Sequence, residues 1–196
     1  MMNNKTPLLY KISKVVLGFI FKLYYRPKIV GKDVIPKDGP IIVAGNHKHL
    51  FDQCLTILST KRCLHYMAKR EYFDNKKIAW FFKGTGCISV DRSKKDPEAK
   101  QKALDILKDN GAIGIFPEGT RNRTKEILLP FKFGAVSMAE KTKATIVPFA
   151  ITGDYVFRSK NLKITYGKPF KVGKMTLEQA NEKLYKEIEK LLKQNK

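Results

Sequence analysis

The stretch PIIVAGNHKHLFD, Pro40 to Asp52, joins two kinds of chain. Its first half is a short apolar run, Ile41 to Ala44, bounded by Pro40 and Gly45. Such a run without polar alternation reads as a strand buried on both faces. Its second half places His47, His49 and Asp52 directly beyond the carboxyl end of that strand, where open α/β sheets gather their ligands.

Working outward, the same pattern recurs. Strands are expected at Leu64–Ala68, Cys87–Val90, Ala112–Phe116, Thr145–Ile151 and Leu162–Tyr166. Between them the 3.6-residue period predicts helices over Phe51–Ser59, Lys76–Lys83, Pro97–Asn110 and Phe131–Lys141, with a last one from Leu177 to about Leu192. Asp96-Pro97 gives the third of these an N-cap followed by proline at the first helical position, and Asn110-Gly111 gives it a stop. The alternation predicts an α/β fold: a single domain with a mostly parallel sheet flanked by helices, preceded by an N-terminal amphipathic helix. We divide the chain into residues 1–30, which carry that helix, and residues 31–196, the domain proper. With 196 residues, 43% of them hydrophobic, the chain can bury one substantial core.

The formal charge is +21, which favours an anionic partner: nucleic acid, a membrane surface or a phosphorylated substrate. The three cysteines, Cys54, Cys63 and Cys87, are odd in number and show no C-x-x-C spacing, so neither a disulfide framework nor a zinc site is indicated. From Leu8 to Tyr25, Leu8, Leu9, Ile12, Val15, Val16, Phe19, Ile20 and Leu23 recur at helical spacing, interrupted by Lys11, Lys14 and Lys22. The longest charge-free run, Val15 to Phe21, is far short of the ~20 residues that cross a bilayer. Two placements of this helix stand: against the domain's own core, or in a membrane interface, which its aromatics and lysines suit.

Three strand ends deliver polar groups to one edge: His47 and Asp52, then Asp91-Arg92, then PEGTRNR from Pro117 to Arg123. A histidine, carboxylates and arginines at one edge are what a site for an anionic substrate needs. A metal site would start from His47-x-His49, but the hydrolase pattern H-x-H-x-D-H is not met, because Phe51 and Asp52 stand where its aspartate and third histidine belong. A general base needs less. An imidazole whose second nitrogen donates to a carboxylate is a useful base near neutral pH, and five residues separate His47 from Asp52. Neither G-x-S-x-G nor a well-placed nucleophile accompanies them, so the base is expected to activate a hydroxyl of the substrate itself.

NHKHLFD with His47-x4-Asp52, GCISVDR from Gly86 to Arg92, FPEGTRN from Phe116 to Asn122 and IVP from Ile146 to Pro148 resemble, in order and spacing, the four motifs of the glycerolipid acyltransferase family, particularly its bacterial 1-acylglycerol-3-phosphate (lysophosphatidic acid) acyltransferases. The resemblance spans Asn46 to Pro148. It implies that His47, oriented by Asp52, deprotonates the sn-2 hydroxyl of lysophosphatidic acid, which attacks an acyl thioester, acyl-CoA or acyl carrier protein, to give phosphatidic acid in phospholipid synthesis without an acyl-enzyme. Glu118, Gly119, Thr120 and Arg121 match the family's acceptor-binding block. Arg92 matches the second motif's arginine, with Asp91 as its partner, and Pro148 falls in the fourth motif, bordering the acyl chain. The family often has Ser or Thr where this chain has His49, a bulkier residue at Ser89 and Ser at Asn122.

The expected partners are therefore the thioester donor, a lysophospholipid acceptor and an anionic membrane surface at the cytoplasmic face of the cell membrane, with no metal, no cofactor and no nucleic acid. Residues 1–40 support the membrane partner, with Lys5, Lys11, Lys14, Lys22, Arg26, Lys28, Lys32 and Lys37 against Asp33 and Asp38. Two rivals remain: an acyltransferase of the same family with another acceptor, or a basic nucleic-acid binding module, for which no helix-turn-helix, RNP-type strand or zinc finger is found.

Overall fold

A computed structural model describes residues 6–91, 93 and 95–194. Its centre is a sheet of seven strands in the order β1-β7-β6-β2-β5-β3-β4. These strands are β1 (Lys28–Val30), β2 (Ile41–Gly45), β3 (Leu64–Lys69), β4 (Ile88–Val90), β5 (Ala112–Ile115), β6 (Thr145–Thr152) and β7 (Lys163–Tyr166). All neighbours run parallel except β6 and β7, so the mostly parallel α/β sheet expected from the sequence is the fold observed.

The apolar run Ile41 to Ala44 is the middle of this sheet. Ile41 to Gly45 are all buried, hydrogen-bonded to β5 on one side and β6 on the other. The two-residue period of a strand splits their side chains between two cores. Ile42 and Ala44 join a cluster with α5 (Pro97–Lys108), α6 (Gly134–Thr142) and α7 (Leu177–Gln194), whereas Ile41 and Val43 join Phe21 of α1 (Leu8–Tyr25) and Leu55 of α2 (Asp52–Ser59). Gly45 ends the run because a Cβ there would lie 2.4 Å from the Phe149 ring. Asn46 then pins the strand end, its amide donating to the Ile151 carbonyl at 3.0 Å and accepting from the Ile151 N–H at 2.7 Å.

Element ends shift where a local bond overrides the period. The helix expected from Phe131 starts at Gly134, because Lys132 donates its N–H to the Pro117 carbonyl and stays with the loop after β5. α5 carries the expected cap, the Asp96 side chain accepting from Ala99 N–H, and stops before Asn110, whose φ of 59° is left-handed. Besides a 3₁₀ turn at Lys32–Val34, two elements are not expected from the sequence. β1 is a three-residue strand paired with β7, so residues 28–30 lie in the sheet. The expected helix Lys76–Lys83 appears as α4 (Ala79–Gly84), preceded by a five-residue helix, α3 (Arg70–Asp74), running straight on from β3.

Helix α1 has its expected bounds, and of its two expected placements its apolar stripe takes the outward one. Tyr10, Gly18 and Phe21 are buried on the domain, and the Tyr10 hydroxyl accepts from the Leu64 N–H at 3.0 Å, holding the start of β3. The apolar stripe instead faces outward, with Leu8, Val15, Phe19 and Leu23 61–73% exposed. No helix among the described residues is long and apolar enough to cross a membrane.

Candidate active site

His47 sits one residue beyond the Asn46 pin and is fixed at every polar atom of its backbone. Its N–H donates to Glu118 Oε1 at 2.7 Å, and its carbonyl accepts from the Asn122 N–H at 2.7 Å. Its imidazole stacks on Phe116 at 4.0 Å between centroids, with 10° between the planes. The chain then turns back through Lys48 to Phe51, and α2 begins at Asp52, whose side chain is wholly buried.

Four donors converge on the Asp52 carboxylate. His47 Nδ1 lies 2.7 Å from Oδ2, which also accepts from the backbone N–H groups of Lys48 and His49 at 2.7 and 2.8 Å, and the Tyr155 hydroxyl lies 2.6 Å from Oδ1. With both oxygens accepting throughout, the hydrogen between the ring and the carboxylate belongs to Nδ1, so in the neutral ring it is Nε2 that carries the lone pair. His49 gives Asp52 only its backbone. Its imidazole accepts from the Phe51 N–H, stacks on Tyr155 at 4.1 Å, and is drawn below the usual histidine range by burial.

Three cavities share His47. The first, of 270 Å³, runs beneath Phe116 and Pro117 and includes Asp91, Gly119 and Lys132. The second, of 660 Å³, is lined by Phe51, Lys69, Thr120, Arg121 and Arg123. The third, of 640 Å³, opens beside Lys48, Glu118 and Lys163. The parallel strands thus bring the ends of β2, β4 and β5 to one edge, as their sequences suggested.

Within the third motif the residues divide. Thr120 and Arg121 face the cleft with His47. Gly119 makes the turn at φ +71°, where a Cβ would meet the Lys132 side chain at 2.9 Å. Glu118 is buried instead, its two oxygens accepting from the N–H groups of His47 and Leu129. Burial pushes its carboxyl above the usual range against the pull of those bonds. Asp91 accepts from Ser93 at 2.6 Å and pairs with Arg70 at 3.6 Å, while Arg92 lies outside the described residues. Pro148 is buried in β6 and lines none of the three cavities that share His47.

Lys69 and Tyr155 escaped the sequence reading, and Arg123 entered it only as the last residue of PEGTRNR. Lys69 and Arg123 are ordinary basic residues until the ends of β3 and β5 are known to be neighbours. Tyr155 is 103 residues from Asp52 and belongs to none of the four motifs. Among the described residues, no group of three or more His, Cys, Asp or Glu side chains is arranged to hold a metal ion.

The family model Acyltransferase matches residues 26–152. The chain is 32% identical over 166 residues to the 1-acyl-sn-glycerol-3-phosphate acyltransferase of Bacillus subtilis, covering 82% of each chain. It is 30% identical to the enzymes of that name from Borreliella burgdorferi, covering 71% of this chain and 56% of that one, and from Saccharomyces cerevisiae, covering 73% and 46%. Its fold is that of the crystal structure of the 1-acyl-sn-glycerophosphate acyltransferase from Thermotoga maritima, with a TM-score of 0.76 at 22% identity, over 95% of this chain and 77% of that one.

Proposed function

The chain belongs to the acyltransferase family and is an acyltransferase, and on that premise we propose that it moves a fatty acyl group from a thioester, acyl-CoA or acyl carrier protein, to the sn-2 hydroxyl of lysophosphatidic acid. His47 Nε2 takes the hydroxyl proton while Asp52 holds Nδ1–H. The oxygen attacks the thioester carbonyl, a C–O bond forms, the C–S bond breaks, and the proton passes to the leaving thiolate. Holding both substrates against one imidazole turns a bimolecular attack into an effectively intramolecular one. Arg121 meets the acceptor phosphate as a planar fork, with Thr120, Lys69 and Arg123 beside it in the same cleft. Glu118 contributes by fixing the His47 backbone.

The observation that carries this reading is the His47–Asp52 pair standing in one cleft with Arg121. The outward stripe of α1 supports a peripheral seat on the cytoplasmic membrane, where the exposed apolar residues of that helix meet the lipid and the domain works above it. Release of thiol from acyl-CoA and from acylated carrier protein, measured against a panel of lysolipids and glycerol 3-phosphate, identifies donor and acceptor. In that assay His47→Ala is expected to lose at least ~10²-fold in rate, the usual weight of a general base, while His49→Ala keeps most activity. An inactive His49→Ala beside an active His47→Ala overturns the assignment. Arg121→Ala is expected to hurt the phosphate-bearing acceptor more than a dephosphorylated analogue; equal losses assign Arg121 to structure.

A further inference from the structure

We propose that Tyr155 is a positioning residue for acyl transfer, holding the Asp52 carboxylate in register with His47 and tying that pair to α1; this rests on the reading of His47 as base. The hydroxyl donates to Asp52 Oδ1 at 2.6 Å, while Oδ2 is occupied by His47 and two backbone amides. Without Tyr155 no donor described here reaches Oδ1, and the carboxylate is fixed through one oxygen only. Burial and the neighbouring Asp52 charge push the phenol far above its usual range, so it serves as a donor throughout the working pH range.

The Tyr155 ring stacks on His49 at 4.1 Å and packs edge-on against Tyr25 at 5.5 Å and Phe21 at 6.3 Å, both in α1. The loop carrying Tyr155 is bonded to that helix directly: the Arg158 N–H donates to the Tyr24 carbonyl at 2.7 Å, and Phe157 packs on Tyr24 at 4.7 Å. It is also bonded to the His47 loop, since Lys48 donates to the Gly153 carbonyl and pairs with Asp154 at 3.6 Å. A continuous chain of contacts therefore runs from the outward-facing helix, through one phenol, to the carboxylate that orients the imidazole.

The test is Tyr155→Phe in the full-length chain, which keeps the ring and removes the donor. We expect kcat to fall about tenfold, the weight of one charge-assisted hydrogen bond, with KM for both substrates within about twofold. The acidic limb of kcat/KM should also move to higher pH. With one donor fewer, the Asp52 charge is less dispersed and holds the protonated imidazole more firmly. The other charged groups around the pair, Lys48 and His49 on the same loop and Glu118 and Arg121 after β5, are unchanged by the substitution. Tyr155→Leu, which also unpacks Phe21 and Tyr25, should lose more. Wild-type kcat and an unmoved acidic limb in Tyr155→Phe would overturn the proposal, as would a loss that follows only the folded fraction in a melting curve. His47→Ala measured alongside separates the cases: if it is active, the base assignment has failed, and if it is inactive while Tyr155→Phe is normal, only the role of Tyr155 has failed.

Discussion

Two helices of the same length close the two ends of the chain and treat their apolar residues in opposite ways. α7, 18 residues long, buries Ala180, Leu184, Ile188, Leu191 and Leu192 against the sheet and turns charged residues outward, including the i,i+4 pairs Glu182–Lys186 and Glu189–Lys193. α1, also 18 residues, buries Tyr10, Gly18 and Phe21 and turns Leu8, Val15, Phe19 and Leu23 outward. Period alone identifies both as amphipathic. It does not say which medium meets the apolar face, and that is decided by what the helix packs with. In α1 the docking side is made by one glycine and the aromatic rings, leaving the aliphatic stripe for a second partner.

The largest expected effect lies in α7. Leu184→Asp places an unpaired carboxylate at a fully buried position and should destabilise the domain by at least about 4 kcal/mol, measured by urea unfolding. A soluble, normally stable variant would break the comparison by showing that α7 is only loosely packed. The matching change in α1 comes next. Val15→Asp with Phe19→Asp, at positions 71% and 69% exposed, should change stability by no more than about 0.5 kcal/mol while lowering affinity for anionic vesicles roughly 100-fold, from lost apolar burial and added repulsion. Sedimentation with vesicles reads the second effect. Unfolding of this double variant would mean that the stripe serves the core after all.

How much of this was legible beforehand depends on the range of the interaction. The sheet was legible because β2, β5 and β6 are short apolar runs with marked ends, and the His47–Asp52 pair was legible because five residues of loop and first turn close it. Which of its two placements α1 takes stayed open, because the residues that seat it, Tyr10 and Gly18, take their meaning from Leu64 and Leu58 of other elements. Glu118 was placed with the acceptor by its motif, yet its oxygens go to the N–H groups of His47 and Leu129, which only the folded loop reveals. Tyr155 carried no local signal at all. β1 was hidden because three residues, Lys28–Val30, are too few to show alternation.

Salt should act on the two helices unequally. Raising ionic strength from about 0.1 to 1 M shortens the screening length from ~10 to ~3 Å. Lys11, Lys22 and Lys28 are exposed around the stripe, so vesicle binding should fall by about tenfold. It should not vanish, because the inserted apolar face is unscreened. The packing of α7 should be unaffected, and melting temperatures at the two salt concentrations check that half. Complete release by salt would make α1 an electrostatic tether rather than an inserted helix.

The smallest effect concerns how firmly α1 is seated. Gly18 is buried at the crossing of α1 over α2, and a Cβ there would lie 2.6 Å from Leu58 Cδ2 and 3.9 Å from Leu58 Cγ. The obstacle is one methyl at the tip of a flexible side chain, which can rotate aside. Replacing glycine within a helix by alanine contributes about 1 kcal/mol of backbone stabilisation, and displacing the Leu58 tip offsets most of it. Gly18→Ala should therefore change stability by less than about 1 kcal/mol, and because residue 18 faces the domain, vesicle binding should be untouched. A loss above about 2 kcal/mol would show that Leu58 cannot yield and that α1 is gripped as tightly as α7, while a gain of the full alanine preference would show that the crossing is loose. Unfolding curves and vesicle sedimentation on the same variant separate these outcomes, since only the inward face of the helix has been changed.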